Sequence, residues 1–433
     1  MLKEFTVDFS NFLLSLSDAV DLASPRIASH QMRTAFIAWQ IAKKAGLQRE
    51  RIERLFVAAL FHDIGALTFE EKLRIHRFEE VDTDTHCILG ETLFKLSPLF
   101  ASAARIVRHH HTPWQNFDTS LDSPDVLESQ VIYVADFIER LISRDGYILH
   151  QVDDLRDNIA TRSGSDINRD VANLFVDISH HEDFWLDLTS PRLYSLLLHF
   201  GPLRHSTTTY DHLFSIASLF RHIIDFKSRF TATHSTGVAE CAALLSRFFG
   251  LTDTEVAQME IAGYFHDLGK LAVPNTILEK PGKLTRGEFA VIKQHTYFTY
   301  TVLSTIGGLD QIAEWAAFHH EKLNGSGYPF HIAAEKINTG ARIMAVADIF
   351  TALAEDRPYR KGMEKKQIEE ILKSETDRNS LDTAIVNLLL VNYEEIASKV
   401  KAKQAASRGI FEGKFLGIQK KDDSLLSQGQ DYL

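Results

Sequence analysis

The segment from His30 to Leu67 lies over the segment from His234 to Leu271 at a constant offset of 204 positions, without a gap. Across those 38 columns 11 residues are identical, among them the first His, a Gly-Leu pair and the run Phe-His-Asp-x-Gly-x-Leu, where unrelated segments share about two by composition. The chain is therefore read as two copies of one domain. Its 433 residues leave room for two or three domains at about 150 residues each.

Each copy carries a helical pattern. In the second, HSTGVAECAALLSRFFG repeats apolar residues at helical spacing and stops at Gly250, a residue suited to the left-handed position after a helix. Thr252 then opens a capping box with Glu255, and the following helix delivers His266 and Asp267 at its C-terminal end. Further helices are predicted over 286–305, 309–320, 341–354 and 366–399. Glycine at 22 and proline at 10 are scarce, which suits long helices and not many-turned β architectures. The expected fold class is all-α, with two tandem helical domains. A polar, turn-prone stretch occupies 157–168, but helical patterns resume after it, so the boundary is placed in GPLRHSTTTYD. This gives an N-terminal domain over 1–205, a C-terminal domain over 206–405 and a tail over 406–433, where clear periodicity is lost.

Lys and Arg total 47 against 58 Asp and Glu, a net charge of −11, which disfavours a protein that coats the phosphate backbone of DNA. A small phosphate ligand in a local basic pocket stays compatible with it. The two cysteines, Cys87 and Cys241, make no disulfide framework. No apolar run approaches the ~18 residues of a membrane span, and the first residues lack a basic region and a small-residue cleavage site. The expected compartment is the cytoplasm, with neither DNA nor membrane as partner.

A lone His-Asp pair carries little weight in a chain with 20 histidines. The company it keeps carries more. From His234 onward come His266-Asp267, His295, His319-His320 and Asp348, five imidazoles and two carboxylates on or at the ends of predicted helices. Neutral imidazole nitrogen and carboxylate oxygen suit Mn, Fe, Ni or Zn, and without cysteine among them a closed structural zinc is disfavoured. Seven candidate ligands exceed the four of one tetrahedral ion, so two ions sharing Asp267 are expected. A pair of ions about 3.5–4 Å apart lowers the pKa of a water and holds both the attacking and the leaving oxygen at phosphorus. Lys270, just beyond Asp267, adds a point charge for the phosphate oxygens.

Over roughly 210–400 the second copy resembles the HD-GYP domain, a subgroup of the HD phosphohydrolases, through FHDLGK (265–270), His295, HHEKLNGSGYP (319–329), Asp348 and DRPYR (356–360). The resemblance implies one metal held by His234, His266, Asp267 and Asp348, and another held by Asp267, His295, His319 and His320. It implies iron or manganese as the favoured ions, with catalytic roles for Asp267 and Lys270. Lys270, Tyr328 in the Gly327-Tyr328-Pro329 loop, Arg357 and Arg360 would contact substrate. Members with three metals carry a Glu where this chain has Phe230, so two are expected. Asn324 stands where Asp is usual, and Leu323 where Trp is common.

In the first copy His30, His62, Asp63, His86 and Asp136 match the ligand set, and a gapless offset of 209 from His86 selects His110 and His111 from the triple at 109–111. This makes a second candidate metal site. Lys270, however, is matched by Ala66, and residues 112–120 hold no Gly-Tyr-Pro. The first copy thus resembles a plain HD domain, expected to act in a sensory way, to dimerise or to bias the second copy. Such a tandem resembles bacterial phosphodiesterases of cyclic di-GMP and cyclic GMP-AMP. The expected activity is hydrolysis of a 3',5'-cyclic dinucleotide to a linear one. A homodimer, or a protein partner docking on the Gly-Tyr-Pro loop, fits the same reading. The competing readings are a cyclic-dinucleotide receptor that does not hydrolyse its ligand, and an enzyme for a nucleotide monoester or an alarmone.

Overall fold

In the computed structural model the described residues are 7–22, 27–79, 82–123, 125–204, 206–228, 233–356 and 361–414. They form an all-α protein. The only strands among them are the two-residue pieces Val7–Asp8 and Thr207–Thr208. The chain divides into two compact units that part between Thr207 and Thr208.

In the N-terminal unit the central helix is His30–Lys44, which packs on Arg49–Leu60, Val126–Leu141 and Arg169–Ser179. Its counterpart in the C-terminal unit is His234–Phe249, packed on Asp253–Phe265, Thr339–Ala354 and Tyr393–Lys414. Each central helix starts at the first histidine of its copy and ends before a glycine in the left-handed region, Gly46 at φ 67° and Gly250 at φ 92°. The Gly-Leu identity in the repeat is therefore a shared helix stop. Thr252 and Glu255 make the capping box expected of them.

The glycine of His-Asp-x-Gly has a packing reason. A Cβ on Gly269 would sit 2.0 Å from the carbonyl oxygen of His295, and one on Gly65 would sit 2.0 Å from that of His86. In both copies the helix bearing the third histidine lies with its backbone directly on this glycine, which sets that histidine against the His-Asp pair.

Two expectations differ from the structure. The stretch 366–399 is three helices, Lys365–Asp377, Thr383–Val391 and Tyr393 onward. Asn379 at φ 52° turns the chain, and Asp382 caps the next helix by accepting from Ala384 N and Ile385 N. The last helix runs to Lys414, past the point where periodicity fades, because Ser407 is buried and accepts a hydrogen bond from Thr236 at 3.2 Å.

Candidate metal centres

In the C-terminal unit five elements bring the candidate ligands together. His234 begins its helix, His266 and Asp267 follow Asp253–Phe265, His295 lies on Arg286–Ser304, His319 and His320 close a short 3-10 turn, and Asp348 lies on Thr339–Ala354. Asp267 Oδ2 is 3.1 Å from His266 Nε2, while its Oδ1 is 3.4 Å from His295 Nε2. His234 Nε2 is 3.0 Å from Asp348 Oδ1, and His320 Nδ1 is 3.9 Å from Asp348 Oδ2. One carboxylate thus faces two groups of imidazoles.

Backbone carbonyls orient the rings. The Nδ1–H of His266, His295 and His319 donates to Gly263, Ile292 and Ala316 at 2.8, 2.7 and 2.6 Å, so each Nε2 is left to point inward. His295 Nε2 and His319 Nε2 then face each other at 3.4 Å. With the proton of each neutral ring on Nδ1, two lone pairs meet there, and His266 Nε2 is buried without a hydrogen bond. A cation is what such a donor set fits.

The electrostatics agree. Burial pushes His295 down to about 3 and His320 down to about 4, keeping them neutral at pH 7. Burial would raise Asp267, but His266, Lys270 and His295 outweigh it and hold the carboxyl well below the usual range. His234 differs: burial opposes its charge, yet Asp348 and Glu355 raise it to about 10.

The N-terminal unit repeats the arrangement. His30 Nε2 and His62 Nε2 lie 3.5 and 3.4 Å from Asp63 Oδ2, and 3.5 and 3.7 Å from Asp136 Oδ1. His86 Nε2 and His110 Nε2 each lie 3.5 Å from Asp63 Oδ1. His111 Nδ1 is 3.9 Å from Asp136 Oδ2, as His320 is from Asp348. His109 stays outside, beside Thr112. His62 Nε2, Asp63 Oδ1 and Asp136 Oδ1 are buried and make no hydrogen bond, so this donor set also fits a metal.

The two centres differ in access. In the C-terminal copy the His320 side chain is 29% exposed and that of Lys270 22%, whereas in the N-terminal copy no matched ligand side chain exceeds the 10% of His111. Beside His30 there is a cavity of about 10 Å³, room for about one water, lined by Asp21, Gln31, Lys72, His76 and Arg140 among others. Ala66 brings no cation here, and two cations from other elements, Lys72 and Arg140, line this cavity. Arg140 Nε is 3.4 Å from Asp136 Oδ2, and the half-buried Lys72 donates its amine to the Val20 carbonyl at 2.8 Å.

Sequence reasoning passed over further residues. Asp225 accepts from Ser235 N at 3.1 Å and Asp21 from Gln31 N at 2.9 Å, each one residue beyond the first histidine. These two aspartates also stand 204 positions apart, a signal present in the sequence but upstream of the aligned block. Glu355 lies 3.4 Å from His234 Nδ1, and Glu139 bonds His30 Nδ1. They occupy unrelated offsets from Asp348 and Asp136, so the duplication could not reveal them. Tyr328 is held near the centre because its N–H donates to the His320 carbonyl at 3.2 Å and the buried Glu321 accepts from Phe330 N at 2.7 Å. Asn324 uses its amide, donating to the Arg378 carbonyl at 2.9 Å, a contact closed to an aspartate. Leu323 packs against the cluster around Phe318 and Ile337. Phe230, Arg357 and Arg360 lie outside the described residues.

Among the described residues no helix is long and apolar enough to cross a membrane. Family models described as HD domain match residues 27–141 and 218–385. The chain is 28% identical over 403 residues to the 3'3'-cGAMP-specific phosphodiesterase 1 of Vibrio cholerae, covering 90% of this chain and 93% of that protein. It is 34% identical to a cyclic di-GMP phosphodiesterase of Thermotoga maritima over 35% of this chain and 41% of that one. A crystal structure of a cyclic GMP-AMP specific phosphodiesterase of V. cholerae shares the fold at TM-score 0.61 and 20% identity, covering 90% of this chain and 98% of that one.

Proposed function

The chain is a tandem HD-domain protein, and from that premise we propose that its C-terminal copy is a metal-dependent phosphodiesterase that opens a 3',5'-cyclic dinucleotide to a linear one. The observation that carries this reading is Asp267, whose two oxygens face His266 at 3.1 Å and His295 at 3.4 Å, with Lys270 alongside. The relatives' activities on cyclic GMP-AMP and cyclic di-GMP support the substrate class.

His234, His266, Asp267 and Asp348 would hold one ion, and Asp267, His295, His319 and His320 the other, with iron or manganese favoured over nickel or zinc. Bound divalent ions supply an acidified water and neutralise charge at phosphorus. The protein's own residues do the rest. Carbonyl bonds to Nδ1 fix the imidazoles, and Glu355 steadies His234. Lys270 faces the open side and takes charge from the phosphate oxygens as it grows in the transition state. Tyr328 stands over His320 with ring centroids 4.9 Å apart and bounds the substrate's approach.

The N-terminal copy is proposed as an enclosed metal site with a regulatory role, since its ligands are covered and its cavity admits about a water. The test of the main reading is an assay of Mn- or Fe-loaded protein with cyclic di-GMP and 3'3'-cyclic GMP-AMP. Linear product is expected. Tight binding of both with no product over hours would instead establish a receptor.

A further inference from the structure

The helix Arg286–Ser304 carries His295 into the metal centre and, nearer its start, presents Phe289 and Lys293. Phe289 is 44% exposed, although three other rings of this region, Tyr300, Phe318 and Phe330, are packed into the cluster with Ile337. Phe289 meets Tyr328 edge to face, with centroids 6.0 Å apart and planes at 85°. Tyr328 in turn lies 4.9 Å from the His320 ring. An aromatic path therefore leads from the candidate ligands out to an open ring. The Lys293 amine lies 5.3 Å from the Phe289 ring and 5.9 Å from that of Tyr328. It makes no ion pair or hydrogen bond among the described residues, while Lys280 on the approach to the same helix is spent on Glu288 at 2.7 Å.

An uncovered ring beside a free ammonium does nothing for the core. Together they match the two chemistries of a purine base, a π face that stacks on an aromatic side chain and an edge with hydrogen-bond acceptors. We propose that Phe289, Tyr328 and Lys293 form a base subsite at the mouth of the C-terminal centre, in which Phe289 stacks one purine and Lys293 donates to its acceptors. Guanine offers O6 and N7 on one edge, whereas adenine pairs its N7 with a donor, so a lysine that only donates favours guanine. The subsite rests on the cyclic-dinucleotide activity of this centre and adds to it the residues that choose the base.

The experiment is steady-state hydrolysis of cyclic di-GMP and 3'3'-cyclic GMP-AMP by the Mn-loaded full chain and its variants F289A, F289W and K293M. F249A, which removes an exposed phenylalanine from the far end of another helix, is the control. F289A should raise KM about tenfold with kcat within about twofold, and F289W should restore the wild-type KM. K293M should raise KM for both dinucleotides by a similar factor, since each can place a guanine beside the lysine. F249A should behave as wild type. An F289A or K293M enzyme with unshifted KM overturns the subsite alone. A drop in F289A kcat that F249A shares overturns it too, by revealing a general structural effect. A wild type that turns over neither dinucleotide removes the activity on which the subsite rests, and the subsite with it.

Discussion

Lys270 Nζ lies 2.5 Å from Asp267 Oδ2, while the matching position in the other copy is the buried Ala66. The lysine sits on a short 3-10 turn at the open side of its centre, bound to the carboxylate that faces both groups of imidazoles. Replacing it with alanine should lower kcat on a cyclic dinucleotide by about 10²-fold, the scale of losing one preorganised donor at developing charge. Metal content by elemental analysis should stay at the wild-type level. Full activity of Lys270→Ala would remove it from the mechanism.

Asp267→Ala should abolish turnover and bound metal together in the C-terminal copy, because one carboxylate serves both halves of the donor set. Elemental analysis of the purified variant checks this, and unchanged metal content would contradict a bridging role.

The equivalent change in the other copy separates the two centres. Asp63→Ala should reduce metal per chain by the N-terminal complement, while Asp63→Ala with Asp267→Ala should bind none. A single variant with wild-type stoichiometry would show that the N-terminal cluster holds no ion.

Gly269→Ala should destabilise the protein by about 3 kcal/mol and lower its metal content, since the added methyl meets a backbone carbonyl that cannot step aside. Gly287→Ala on the helix it would displace meets no atom within 4 Å and serves as control. Thermal unfolding with metal analysis reads both, and equal Tm values for the two variants would refute the packing role of this glycine.

Burial raises the Asp225 carboxyl to about 6, against the hydrogen bond from Ser235. A raised carboxyl favours the fold while protonated, so its contribution is complete below the unfolded value of 3.8 and is lost as the pH climbs through about 6. Above that the ionised group costs the fold up to about 3 kcal/mol, at ~1.4 kcal/mol for each tenfold change in the ionisation constant. Asp225→Asn should therefore gain stability over wild type as pH rises from 4 to 7.5. Thermal unfolding in chelator measures it, and a Tm difference that does not change with pH would argue against a protonated carboxyl at this position.

The duplication made the helical class and the seven-residue candidate ligand sets readable, because helix periodicity and the spacing of His-Asp-x-Gly are written in consecutive positions. Gly250 and Thr252 even marked helix ends to the residue. Asp21 and Asp225 were visible in the same offset but lacked a motif to draw attention, since a single carboxylate capping a helix start has no fixed partner in sequence. The turn at Asn379 was missed because apolar spacing on either side of it stays helical.

The amino-acid order alone determined that there are two helical copies and which histidines and aspartates of each are candidate ligands. Only the tertiary structure decided that Glu139 and Glu355 steady the first histidines from different offsets, that Arg140 and Lys72 line the cavity beside His30, and that one centre is closed while the other is open. Those outcomes depend on how far apart side chains from separate helices end up and on what covers them. Packing sets such distances through space, and no spacing along the chain encodes them.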